Sequence, residues 1–247
     1  MAYNFKIVVP SYYRSDMIKT HFAVGLPNAY AVVPESQYED YKDCGMNLVK
    51  FPDKLEGNLP RKRNWIMENL FDDSLDFLVM SDDDVVGVDM LTDFGCDPLS
   101  QDEILEMLCF GYDLSKFYGV NFFGFSQRNR FIYKKRDRLL VNAFVDEVVC
   151  GYLDRSLRED EKLTIRADVD LYFKLLIRDG GVLRLNFLFP VMNVRHGVGN
   201  GGLRNVVDRN KINESDEIIV KRYGERGRAL LKSLSGEGKT NIYIWQS

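Results

Sequence analysis

Phe77-Leu78-Val79-Met80-Ser81-Asp82-Asp83-Asp84 is the stretch that decides how this chain is read. Four apolar residues in a row make a strand with no polar side, the pattern of a strand buried on both faces of a parallel sheet. Three aspartates follow at once. Like charges at contact distance repel, so such a run either lies in solvent as a turn or faces a cation. Sheets of this kind hold their ligands at the carboxyl ends of the strands, which is where these aspartates stand. Carboxylate oxygens suit Mg²⁺ or Mn²⁺, and diphosphate oxygens can complete the shell of either ion.

Working back towards the start, strand and helix patterns alternate. Ile7-Val8-Val9 is a β-branched run closed by Pro10. Ser15-Asp16 suits the cap of a short helix ending before Gly25-Leu26-Pro27, and Ala29 to Val33 reads as a second strand. Ser36 and Glu39 have capping-box spacing, which predicts a helix of about two turns. Asn47 to Phe51 is a third strand. Pro60 then suits a first helical turn, with Ile66, Met67 and Leu70 on one face. Short connections between alternating strands and helices imply a mainly parallel sheet covered by helices, the α/β class.

Working forward, the pattern loosens. Ser100 and Glu103 repeat the capping-box spacing and predict a helix to about Tyr112. Gly119 to Phe123, Arg138 to Phe144 and Val182 to Phe187 read as strands. Ala167 to Arg178 reads as a helix buried on Leu171, Leu175 and Leu176, and Glu214 to Leu234 as a helix of mixed charge. Asn241 to Trp245 reads as an edge strand or an arm. The expectation is one domain over 1–247, with an α/β first half (1–90) and an α+β second half (91–247).

Composition narrows the function classes. The 247 residues carry 33 Lys and Arg against 37 Asp and Glu, a net charge of −4, which excludes a globally basic nucleic-acid binder but not a local patch. Cys44, Cys96, Cys109 and Cys150 are widely spaced, without a Cys-x-x-Cys pair, and read as reduced thiols of a cytoplasmic protein. Neither a secretory leader nor an apolar run near membrane-spanning length is evident, so no membrane partner is expected.

Four further polar groupings carry chemistry. Gly57 to Asn64 places Arg61, Lys62 and Arg63 at the start of a helix, where cations oppose the dipole and call for an anionic partner. Asp168 and Asp170 open the helix with the leucine stripe, either as caps or as a general base and its support. His196 precedes the glycine-rich Gly197-Val198-Gly199-Asn200-Gly201-Gly202, whose backbone N–H groups suit a diphosphate. That stretch also fits G-x-G-x-x-G, but it opens no evident βαβ unit, which argues against a dinucleotide site. His21 reads as structural. Finally, Arg128, Arg130, Lys134, Lys135, Arg136 and Arg138 give six cations in eleven residues, interleaved with Phe131 and Tyr133. Cations with aromatics suit a tracked phosphate backbone and stacked bases, unless the segment is a plain solvated hairpin.

With these residues in view, the chain resembles the GT-A class of nucleotide-sugar glycosyltransferases over roughly its first 200 residues. The likeness rests on a D-x-D motif, here Asp82-Asp83-Asp84, after a fourth strand, and on the opening Val8-Val9-Pro10-Ser11-Tyr12. It implies a Rossmann-like GT-A fold, with residues 1–90 holding the nucleotide sugar and 91–247 the acceptor. It implies donor contacts from Pro10, Ser11, Tyr12, Arg14, Arg61, Arg63, Asn64, Asp82 and Asp83, and a metal, Mn²⁺ or Mg²⁺, on Asp84 and His196. In inverting members a Glu-Asp-x-Asp-Leu motif supplies the base; this maps to Asp168, with Asp170 in support, although Ala167 stands where that glutamate is usual.

Within the class, the short chain and the basic-aromatic segment resemble the TET-associated glycosyltransferases of bacteriophages, which decorate 5-hydroxymethylpyrimidines in DNA. That implies a UDP-sugar as first choice of donor, DNA as acceptor, and Arg128, Arg130, Lys134, Lys135 and Arg136 as the DNA contacts. The target base would have to leave the duplex stack to reach the site. The alternatives are transfer to a surface polysaccharide or lipid-linked glycan, a metal-dependent nuclease or nucleotidyltransferase using Asp82, Asp84 and Asp168, and a noncatalytic binding module.

Overall fold

A computed structural model describes residues 3–126, 139–193 and 209–234. The apolar run before the aspartates is a strand, β4 (Phe77–Ser81), buried at every position. Phe77 and Val79 pack to one side of the sheet, and Leu78 and Met80 to the other. Helices therefore have to cover both faces.

The first half alternates as the sequence predicts. β1 (Phe5–Pro10) and the short α1 (Ser15–Ile18) lead to β2 (Ala29–Pro34), β3 (Asn47–Phe51) and α2 (Leu59–Asn69). All four strands run parallel in the order β3-β2-β1-β4. The chain builds outward from β1 to β3, then returns to place β4 on the other side of β1. The reversal makes the gap between the carboxyl ends of β1 and β4 the topological switch point, where such sheets form their ligand crevice.

After β4 comes the hairpin of β5 (Val85–Leu91) and β6 (Cys96–Pro98). Next are α3 (Gln101–Tyr118), β7 (Phe122–Phe125), β8 (Leu139–Val141) and β9 (Val149–Tyr152). The described residues end with α4 (Ala167–Asp179), β10 (Leu183–Leu185), β11 (Leu188–Met192) and α5 (Arg209–Leu234), the last broken at Gly224 (φ 60°, ψ −138°). The large sheet has the order β3-β2-β1-β4-β9-β7-β10-β8, and β11-β5-β6 forms a second, small one. β9 is antiparallel to both β4 and β7, and β8 is antiparallel to β10. Six of the eight strands thus point one way, and the chain is a mainly parallel α/β sheet flanked by helices. α2, α4 and α5 pack on the side of Leu78 and Met80, while α3 and β5 pack on the side of Phe77 and Val79.

Several boundaries move for physical reasons. The Ser36–Glu39 pair builds no capping box: Glu35–Tyr41 is a 3₁₀ helix, and the Ser36 N–H and hydroxyl both bond Asp53 instead. Ser100 and Glu103 do form the reciprocal box. That helix runs to Tyr118 rather than Tyr112, where Gly119 ends it in the left-handed region (φ 69°). β5, β6, β9 and β11 are absent from the sequence reading. β9 needs glycine: a Cβ on Gly151 would lie 2.1 Å from the Phe123 ring of the neighbouring strand. The proposed strand or arm at Asn241 to Trp245 lies outside the described residues. Among the described residues no helix is long and apolar enough to cross a membrane.

Candidate functional site

The site forms where β1 and β4 end side by side. Their register, Val8 opposite Met80, brings the residues after both strands to the same edge. The Ser11 hydroxyl donates to Asp83 Oδ2 at 2.6 Å and lies 2.9 Å from the Tyr41 hydroxyl. Arg14 Nη1 donates to Asp83 Oδ1 at 2.7 Å and stands 3.8 Å from Asp84 Oδ2. The backbone here is fixed in an uncommon shape. Tyr13 is left-handed (φ 54°), its N–H is held by Gln37 Oε1 at 2.8 Å, and the Arg14 N–H is held by the Tyr41 hydroxyl at 2.8 Å. A bulky residue at positive φ costs energy and persists where its surroundings hold it. The result leaves the Tyr12 and Tyr13 rings exposed at the mouth, edge to face at 4.6 Å.

α2 reaches this edge by its N-terminus. Asn58 caps it, accepting from the Arg61 N–H at 2.9 Å, and Pro60 occupies the first turn. The three cations then go to three places. Arg61 pairs with Glu161 at 3.2 Å on the surface. Lys62, buried, donates to the Ser11 carbonyl at 3.1 Å, pairs with Glu56, and lies 5.5 Å above the Tyr12 ring. Arg63, also buried, contacts Glu147, Glu159 at 3.4 Å and Asp82 at 3.5 Å, and gives a further bond to the Glu147 carbonyl at 3.0 Å. Asn64 closes a two-way amide pair with the Glu159 backbone, at 2.9 and 3.0 Å. The expectation of nucleotide contacts at Arg63 and Asn64 therefore meets side chains already engaged within the protein. The internal anion that draws these cations to the helix start is a carboxylate cluster.

One buried guanidinium against Glu147, Glu159 and Asp82 leaves negative charge in excess. Burial pushes Asp82 up to about 7, with Arg63 opposing and Asp84 and Asp83 adding to the rise. Burial also raises Glu147, again opposed by Arg63, and the Tyr152 hydroxyl donates to Glu147 Oε1 at 2.9 Å. Asp168 sits half-buried at the start of α4, where it and Glu147 line one small cleft with Phe122, Val145 and Tyr172. Burial raises its carboxyl above the ordinary range, against the pull of the Val169 N–H and of Arg63.

Asp170 has another task. It is fully buried and takes Arg222 and Tyr223 at 2.7 Å each and Lys174 at 2.8 Å. Two of these partners lie on α5, so Asp170 ties α4 to α5 and is not beside Asp168's cleft in the expected supporting role. A helix places residues two apart on different faces, which is why neighbouring aspartates part company. His21 is structural: its Nδ1 accepts from the Ala23 N–H at 3.0 Å, so the proton is on Nε2, which donates to Ser81 Oγ at 2.9 Å. Burial lowers it to about 3, so it stays neutral beneath the aspartates.

His196 and the cations Arg128, Arg130, Lys134, Lys135 and Arg136 lie outside the described residues. Asn193, three residues before His196 in sequence, donates its N–H to the Asp84 carbonyl at 2.7 Å. Among the described residues no group of three or more His, Cys, Asp or Glu is arranged to hold a metal ion. Of the triplet, Asp83 bonds Ser11 and Arg14, Asp82 is drawn to Arg63, and Asp84 lies 3.8 Å from Arg14; all three carry the hard oxygen atoms that Mn²⁺ or Mg²⁺ prefers.

Sequence reading missed Tyr41, Glu147 and Glu159 as parts of this site, and took Lys62 only as one of the helix-start cations, not as a donor contact. Glu147 left a trace: it is an acid inside the otherwise apolar run Ala143 to Cys150, apart from its neighbour Asp146. Tyr41 and Glu159 left none, since their roles depend on non-local contacts.

No protein-family model matches the chain. No curated protein matches it either. Solved structures do, among them 4-diphosphocytidyl-2C-methyl-D-erythritol synthase from Anaerococcus prevotii, at 9% identity and a TM-score of 0.46, covering 87% of this chain and 96% of that one.

Proposed function

We propose that the protein is a metal-dependent glycosyltransferase of the GT-A kind, moving a sugar from a nucleotide-sugar donor to a hydroxyl acceptor. The observation that carries this reading is the pairing of Ser11 and Arg14 with the aspartates at the switch point between β1 and β4, with a half-buried Asp168 across Arg63 from them. The exposed Tyr12 and Tyr13 rings offer faces for the base, and the Arg14 fork suits the diphosphate. Asp84 would hold Mn²⁺ or Mg²⁺ together with His196, carboxylate oxygen and imidazole nitrogen both being ligands these ions accept. The metal, when bound, offsets charge on the departing diphosphate.

The chain's own part is then a single displacement. Asp168 takes the proton of the acceptor hydroxyl as its oxygen bonds the anomeric carbon and the bond from that carbon to the diphosphate breaks. A carboxyl raised by burial is a stronger base than an exposed one, which suits it to take this proton. For the acceptor we favour 5-hydroxymethylpyrimidine in DNA, on the strength of the basic-aromatic sequence from Arg128 to Arg138. A glycan is the other candidate. A nuclease or nucleotidyltransferase using Asp82, Asp84 and Asp168 together is disfavoured, since Arg63 is drawn to Asp82 and no such trio converges among the described residues.

The experiment is a thermal-shift panel of UDP-, GDP-, CMP- and dTDP-sugars with and without Mn²⁺, on the parent and on Asp84→Ala. One nucleotide class should stabilise the parent in a Mn²⁺-dependent way, and Asp84→Ala should lose that shift while remaining folded. An Asp84→Ala protein that keeps the full Mn²⁺-dependent shift would remove the metal assignment.

A further inference from the structure

We propose that Arg14 is the resident counter-cation of the aspartate triplet, and that it exchanges its carboxylate partner for the donor's diphosphate when donor and metal enter together. This rests on the glycosyltransferase reading and adds to it a rule for how the two ligands depend on each other.

The geometry sets the rule. Arg14 Nη1 lies 2.7 Å from Asp83 Oδ1 and 3.8 Å from Asp84 Oδ2, so one guanidinium answers two neighbouring carboxylates. A divalent cation arriving at Asp84 would meet that fixed positive charge at close range. Arginine does not escape by losing its proton, because its guanidinium remains charged at any working pH. It has to move, and its surroundings allow that. Its side chain is about a quarter exposed (23%), so part of the group already faces the crevice. Its main chain is held separately, through the Tyr41 hydroxyl, so the side chain can turn without unmaking the turn after β1. Asp83 keeps a hydrogen bond from Ser11 Oγ at 2.6 Å if Arg14 leaves. A diphosphate offers the fork a stronger partner than one carboxylate, since it carries more charge and more acceptor oxygens.

Metal without donor therefore binds against Arg14, and donor with metal binds along with it. By linkage, the nucleotide tightens the metal by the same factor as the metal tightens the nucleotide. Much of that factor comes from one side chain.

The test follows free Mn²⁺ by electron paramagnetic resonance, with and without UDP, GDP, CDP or dTDP, for the parent and for Arg14→Gln. Glutamine keeps a hydrogen bond to Asp83 and removes the charge. In the parent, the preferred nucleotide should tighten Mn²⁺ by about 5- to 150-fold, the usual span of such coupling. In Arg14→Gln, Mn²⁺ without nucleotide should bind more tightly than in the parent, and the coupling factor should shrink towards one. Mn²⁺ affinity without nucleotide that is unchanged or weaker in Arg14→Gln, beside a parent that shows the coupling, overturns the role of Arg14 and leaves the glycosyltransferase reading standing. A parent that binds Mn²⁺ with none of the nucleotides overturns both. If Arg14→Gln does not fold, Arg14→Lys serves: it keeps the repelling charge and loses the fork. It should bind free Mn²⁺ as weakly as the parent with reduced coupling, and a tighter site or full coupling there overturns the proposal.

Discussion

Asp168 and Asp170 stand two residues apart at the start of one helix and meet opposite fates. Asp168 is half-buried in a cleft beside Glu147, whereas Asp170 is fully buried between Lys174, Arg222 and Tyr223. Asp168→Asn keeps the shape and removes the proton acceptor, so sugar transfer should fall by roughly 10²–10⁴-fold with donor affinity nearly unchanged. Transfer assays beside donor titrations check this, and undiminished transfer would end Asp168's candidacy as the base. Glu159 gives a prediction of another kind. Burial, then Glu147, pushes its carboxyl up to about 8 from an ordinary value of 4.5, with Arg63 pulling the other way. Between those values the folded protein holds a proton that the unfolded chain has released, so this group's contribution to stability is lost as pH rises. Relative to Glu159→Gln, the parent's melting temperature should thus fall as pH rises from about 4.5 to about 8. Parallel curves for parent and variant would acquit Glu159. The sequence showed both aspartates as one motif, because spacing reveals which residues share a helix end but not which partners arrive from α5.

The elements show how far local signals reach. Ser100 and Glu103 build their capping box, while Ser36 and Glu39, with the same spacing, do not. The difference is Asp53, seventeen residues away, which takes both the Ser36 N–H and its hydroxyl. Strands β1, β2 and β4 were legible from short apolar stretches between turn residues, and β3 from the apolar Leu48, Val49 and Phe51 set among Asn47 and Lys50. β9 was not, since its four residues include a glycine, Gly151, that makes sense only against Phe123. α2 is the element on which the site leans most. Asn58 caps it and its side-chain amide also donates to the Glu161 carbonyl at 2.7 Å, so one residue holds both the helix start and the segment that carries Glu159. Asn58→Ala should cost about 1 kcal/mol, the usual loss for a cap, plus the tether. Denaturant unfolding measures it, and a loss within error would show that the cap is dispensable.

At the scale of the molecule, charge is the feature that bears on the proposed DNA acceptor. A net −4 opposes DNA, yet acids gathered around Arg14 and Arg63 are not displayed on the outer surface as a uniform field. If DNA is the acceptor, neutralising Arg130, Lys134, Lys135 and Arg136 together should weaken binding and flatten its dependence on salt, by about 0.9 in slope for each phosphate that no longer meets a cation. Affinity measured against salt on duplexes with and without hydroxymethylated pyrimidines decides it. A parent with neither salt-dependent binding nor transfer to modified bases would hand the acceptor role to a glycan. The composition made the basic run visible, but no single-sequence pattern identifies the molecule that meets it.

The place of β9 bears on the order in which the chain can be made. β4 carries the aspartates, and its far edge is closed by a strand whose partner residues, Leu78 with Tyr152 and Met80 with Cys150, lie some seventy positions later. Until that segment leaves the ribosome, an apolar strand with unpaired backbone groups is an open template for other nascent chains. Closure over such a separation is slow in proportion to the entropy of the intervening loop. The crevice between β1 and β4, with Asp82, is therefore laid down early in synthesis, while Glu147 and Glu159 reach Arg63 only after some sixty to eighty further residues, so the carboxylate cluster that would set the proton affinity of the site is completed well after the crevice it serves.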